Sequence, residues 1–109
     1  MKRITKLDAK MDTIGDSDAD KEKMPTRRDI LRSIGNVKAN SADDARKVRR
    51  IITKMRDKTT TDLTLDNEDM AFLEKSFEAN AVGLSAWMQG QILDIIADAE
   101  RVEPKLPIT

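Results

Sequence analysis

Apolar side chains recur at three- and four-residue intervals in five separate stretches, and never in a long run. That spacing gathers side chains on one face of an α-helix, whereas a half-buried strand alternates every second residue. The stretches are Ile4/Leu7/Met11/Ile14, Ile30/Leu31/Ile34/Val37, Ala45/Val48/Ile51/Ile52/Met55, Met70/Leu73/Phe77 and Met88/Ile92/Ile95/Ile96/Ala99. A chain of 109 residues has room for one small core. The expectation is therefore an all-α fold: a three- to four-helix domain over residues 26–102. A polar N-terminal arm and linker precede it over 1–25, a short strand or extended connector crosses 60–65, and a Pro-containing tail follows over 103–109.

Helix starts are marked by side chains that can accept from free backbone N–H groups. Thr26 with Asp29 and Ser41 with Asp44 have capping-box spacing, and Asp66 with Asp69 repeats it. Leu65 precedes that third cap and can staple onto Met70. Gly83 suits a left-handed exit from the helix holding Met70 and Phe77. Ser85 caps a last helix from Ala86 to about Val102, with Pro104 and Pro107 beyond its end. The first stripe has no such support. Four apolar positions over about three turns cannot hold a lone helix. Residues 1–14 thus read as an arm that orders against something else, removable without loss of core stability.

Composition excludes whole classes of chemistry. The chain has no His, Cys or Tyr, which removes imidazole acid–base work, thiolate nucleophiles, Cys/His zinc sites and disulfides. The remaining Asp, Glu and Lys sit at ordinary polar-face spacing, there is no glycine-rich phosphate loop, and no enzyme and no cofactor is expected. Asp16, Asp18 and Asp20 alternate like the start of a calcium loop, but Lys21 and Arg27 occupy the positions that need Gly and a bidentate Glu. No metal site is expected. No apolar stretch is long enough to span a bilayer, and the N-terminus lacks a signal-peptide core, so synthesis in the cytoplasm is the expectation.

Lys/Arg and Asp/Glu balance at twenty each, but they are segregated. Residues 26–58 carry eleven basic and four acidic side chains, whereas 59–101 carry nine acidic against Lys75 and Arg101. The basic face of the second domain helix comprises Arg46, Lys47, Arg49, Arg50, Lys54, Arg56 and Lys58. It could track phosphates. No aromatic residue is interleaved for stacking and no Asn or Gln for adenine readout, so the alternatives are a solvated face or a partner for the acidic half. Opposite blocks can pair within one fold or head to tail between copies.

Two resemblances bear on function. A strand at Thr59 to Leu65, a helix, a turn at Gly83-Leu84-Ser85 and a helix with Trp87 near its start resemble the ribbon-helix-helix DNA-binding family over about residues 60–101. That implies an intertwined dimer that reads DNA with the strand. Here the strand carries Asp62 and no Lys or Arg, and Asp66-Asn67-Glu68-Asp69 would repel phosphate. The segments LTLDNEDMAFLEKSFEAN and GLSAWMQGQILDIIADAE look like those of small uncharacterised accessory proteins of tailed bacteriophages and prophages. This resemblance covers about residues 25–101 and implies a bacterial cytoplasmic origin and a role in virion assembly, virion structure or modulation of a host protein.

The functional expectation is protein–protein binding without catalysis, to a second copy in a homo-oligomer or to a larger protein. Three surfaces are candidates. The stripe Ile4, Leu7, Met11 and Ile14 would insert into a partner's groove. The small-residue line Ala86, Gly90 and Ala97, with Trp87 as anchor, would admit a helix. The basic face would meet an acidic surface, such as residues 66–78 of another copy.

Overall fold

The computed structural model describes residues 1–15 and 17–102 of the chain, so the Pro-containing tail 103–109 and Asp16 lie outside the described residues. Among the described residues three short strands, β1 (Lys2–Ile4), β2 (Leu63–Leu65) and β3 (Glu100–Arg101), accompany five helices. The helices are α1 (Asp18–Glu22), α2 (Arg27–Arg32), α3 (Ala42–Met55), α4 (Asn67–Glu78) and α5 (Ala86–Ala97), with a 3-10 turn at Ser33–Asn36 extending α2. The domain is small and about half helical, and it is mixed rather than purely all-α.

The helix starts follow from their caps. Thr26 and Asp29 form a complete reciprocal box at α2. Ser41 Oγ accepts from Asp44 N at 3.1 Å, Asp66 Oδ1 from Asp69 N at 2.8 Å and Ser85 Oγ from Met88 N at 3.3 Å. At the end of α4 the left-handed residue is Asn80 (φ 49°). Ala81 N reaches Ser76 O and Asn80 N reaches Phe77 O, both at 3.0 Å, the pairing of a Schellman cap. Gly83 (φ 73°) serves the turn beyond it. The Asn80 carboxamide fixes that turn by exchanging two 2.8 Å hydrogen bonds with the Leu84 backbone.

The N-terminal arm is the principal correction. Residues 2–4 form the central strand of an antiparallel sheet ordered β2-β1-β3, with Ile4 opposite Leu63 and Arg3 opposite Glu100. Beyond β1, Lys6 turns the chain with φ 55°, and Lys10 bridges to Thr26. Leu7 N donates to Thr61 O, Met11 N to Pro25 O, Arg27 N to Ala9 O and Arg28 N to Leu7 O, all within 2.8–2.9 Å. The apolar positions that match a helix stripe are thus carried by a strand, a turn and a bridge. Ile4, Leu7 and Met11 are buried at 1%, 0% and 4% exposure, and only Ile14 stays outside at 74%. They join Leu31, Ile34, Ile51, Met55, Leu63, Leu65, Leu73, Phe77, Ile92 and Ile96 in one core. The boundary placed at residue 25 therefore does not separate an arm from a domain, and these three side chains are unavailable to a partner.

The last helix also ends earlier than its apolar pattern suggests. Asp98 N closes on Asp94 O, after which the chain turns and β3 pairs with the free edge of β1. Val102 N then donates to Met1 O at 2.8 Å, and Arg3 Nη2 meets Glu100 Oε2 at 2.7 Å. Sheet pairing satisfies backbone groups that one more helical turn would have left at an exposed helix end.

One buried cation ties the chain crossings together. Arg28, 6% exposed, donates through Nε to Asp8 Oδ1 at 3.2 Å and through Nη1 to Met55 O at 2.5 Å and Asp57 O at 3.2 Å; Nη2 donates to Thr60 O. It binds the Met55 carbonyl at the C-terminus of α3 and, through Asp57 and Thr60, holds the connector to β2. Within that connector Asp57 accepts from Thr59 Oγ1 at 2.7 Å and Thr59 N at 2.9 Å. Those two bonds, with the nearby Arg28 charge, hold its carboxyl below the ordinary Asp range.

Candidate functional site

The basic face of α3 divides into two groups. Lys47 Nζ bridges Asp43 at 3.1 Å and Glu68 at 3.2 Å, and lies 5.9 Å from the centre of the Phe72 ring. Arg50 grips the buried Asp69 carboxylate with two bonds of 2.8 and 3.2 Å. Lys54 Nζ donates to Thr64 O at 3.1 Å. These three cations hold α3 to α4 and β2. The hydrogen bonds that Lys47 donates to Asp43 and Glu68 raise its pKa, and those that Arg50 donates to Asp69 raise that of Arg50, so both remain fully charged at neutral pH. The acidic segment near residues 66–69 is consequently met by α3 of the same chain. Arg46, Arg49, Arg56 and Lys58 stay exposed, with no ion pair among the described residues.

The second surface is the outside of α5. Ile92 and Ile96 turn into the core, which leaves Ala86, Trp87, Gly90, Asp94, Ala97 and Asp98 on the opposite, exposed side. A Cβ built on Gly90 meets nothing within 4 Å, so its small size serves no contact inside the chain. Trp87 is 45% exposed, yet it is anchored: Nε1 donates to Asp12 O at 2.8 Å. Gln91 clamps the same residue from both sides, its Nε2 donating to Asp12 O at 2.9 Å and its Oε1 accepting from Asp12 N at 2.7 Å. These bonds also fix the start of the Asp12–Gly15 segment, which displays Ile14.

A third feature was not visible in the sequence. Between α4 and the chain entering α3 lies a cavity of about 470 Å³, with Val37, Ala71, Phe72 and Ala79 among its apolar lining and Lys38 and Lys75 among its polar lining. The only sequence signal for it is Phe72, which flanks the buried stripe of α4 without belonging to it.

Of the expected partner-binding residues, the structure keeps Ile14, Ala86, Trp87, Gly90 and Ala97 at the surface and removes Ile4, Leu7 and Met11 from it. Asp18 and Asp20 lie in the first turn of α1, where Ser17 Oγ caps Asp20 N at 3.1 Å. Among the described residues no three Asp/Glu side chains gather as a metal site, and no helix is long and apolar enough to cross a membrane. Comparison with protein-family models, curated proteins and solved structures returns no match.

Proposed function

We propose that this protein is a non-catalytic docking protein, acting as a small structural or assembly accessory component of a tailed phage, with the outer face of α5 as its binding surface. The carrying observation is Trp87, a large side chain held rigid by a hydrogen bond to Asp12 O while nearly half of it faces solvent. Tryptophan combines large apolar area with few rotatable bonds, so a pre-ordered exposed indole loses little entropy on binding. Ala86, Gly90 and Ala97 leave the surrounding helix surface low enough for a partner backbone to approach closely. The phage assignment rests on the resemblance of residues 25–101 and on no chemical motif.

The ribbon-helix-helix reading gains no support from the strand. In such a dimer it would pair with its counterpart in a second chain, whereas β2 here pairs with β1 of its own chain. Inhibition of a host protein would use the same α5 face and differs only in the identity of the partner.

A photo-crosslinking side chain at position 94, exposed on the same face and leaving Ala86, Gly90 and Ala97 small, tests the proposal in the cells that produce the protein. A discrete adduct is expected, lost when Trp87→Ala is added in the same chain. No adduct, or one unaffected by Trp87→Ala, would overturn the assignment of this face.

A further inference from the structure

We infer that the outer face of α5 docks onto the outer face of α3 of a second copy, in antiparallel register and head to tail; this rests on α5 being the docking face. The two faces match in spacing. On α3 and its C-cap, Arg46, Arg49, Thr53 and Arg56 form an exposed stripe; on α5 the stripe is Trp87, Gly90, Asp94 and Ala97. Both follow the three-four-three interval at which one helix presents a straight line to another. Run antiparallel, they align residue by residue: Trp87 faces Arg56, Gly90 faces Thr53, Asp94 faces Arg49, and Ala97 with the adjacent Asp98 faces Arg46.

The chemistry of each facing pair is complementary. Arg49 and Arg46 would meet Asp94 and Asp98, and none of these four side chains makes an ion pair among the described residues. Arg56 would lie against the Trp87 ring, the preferred geometry for a guanidinium on an indole. Gly90 opposite Thr53 pairs a residue without a side chain with a short one, which lets the backbones approach. The antiparallel arrangement also sets the C-terminus of α3 beside the N-terminus of α5, which favours the dipoles. The faces cannot meet within one chain, because the reverse sides of both helices, at Ile51/Met55 and Ile92/Ile96, are committed to the same core. Two different faces make the contact heterologous, so repetition builds a ring or an open filament.

Light scattering of the full chain tests this. At about 0.05 M salt the mass should rise with concentration, and at about 0.5 M it should fall back towards the monomer. Emission from Trp87, the sole tryptophan, should shift to shorter wavelength over the same concentration range. Arg46→Glu/Arg49→Glu and Asp94→Lys/Asp98→Lys should each be monomeric with unchanged thermal melts, and mixing them should restore the large mass. A monomer at every concentration in low salt overturns self-docking while leaving the α5 face to the cross-linking result. Association that survives either charge reversal, or that is not recovered on mixing, overturns the register. Association with unmoved Trp87 emission puts the self-contact on another face and overturns self-docking through α5, again leaving the α5 face itself to the cross-linking result.

Discussion

Leu7→Ala probes whether the N-terminal segment belongs to the fold. Leu7 has no exposed surface, and its backbone N–H and C=O are bonded to Thr61 and Arg28. Truncation leaves those backbone bonds in place and deletes only the side chain from a closed core, so the cost is transfer plus cavity, ~3 kcal/mol. For a domain of this length each kcal/mol moves the melting temperature by about 4 °C, which gives a loss of about 12 °C. Ile14→Ala is the internal control, since a side chain 74% exposed should change stability by less than about 0.5 kcal/mol. Thermal melts followed by circular dichroism on the two variants, side by side with the parent, measure the difference. If Leu7→Ala melts within about 2 °C of Ile14→Ala, the segment is a detachable arm and the sheet is not part of the stable core.

Three further outcomes follow from individual contacts. Arg28→Lys should destabilise by roughly 3 kcal/mol, because a single ammonium cannot reach the Asp8 carboxylate and the Met55, Asp57 and Thr60 carbonyls together; a urea titration checks this, and a parent-like midpoint would refute the clamp. Arg50→Ala should lower the melting temperature more than Asp69→Ala does, since the first strands a carboxylate that is 2% exposed and the second frees a cation that is 48% exposed; equal losses would contradict this asymmetry. Asp57 has a lowered native pKa, so its contribution is present above the ordinary Asp value of 3.8 and lost as pH falls through the lower native value. Asp57→Asn should therefore melt below the parent at neutral pH, with the gap closing in acid, and a gap independent of pH would refute it.

What the residues determined locally was read well from order alone. The caps at Thr26, Ser41, Asp66 and Ser85 sit where they were expected, because a cap needs only a side chain and an N–H two or three residues away. The core faces of α3, α4 and α5 follow from periodicity too, except that Ala45, at the first turn of α3, stays exposed. The small-residue line of α5 was legible for the same reason. The N-terminal stripe was not: Ile4, Leu7 and Met11 have helical spacing, yet β1, the turn at Lys6 and the bridge to Thr26 bring all three inward by another route. Spacing says which side chains share a side, and it leaves open which backbone puts them there.

The pairing of the charges, by contrast, is set by packing. Seven cations along residues 46–58 form one basic face in the sequence, but Lys47, Arg50 and Lys54 are drawn to Asp43, Glu68, Asp69 and Thr64 once α3 packs beside α4 and β2. The remaining group, Arg46, Arg49, Arg56 and Lys58, is defined by what the neighbouring elements do not reach. Partnership of that kind depends on distance between segments far apart in the chain. The order of residues determines which charges exist and on which helix face they lie, and packing determines which of them are left to meet another molecule.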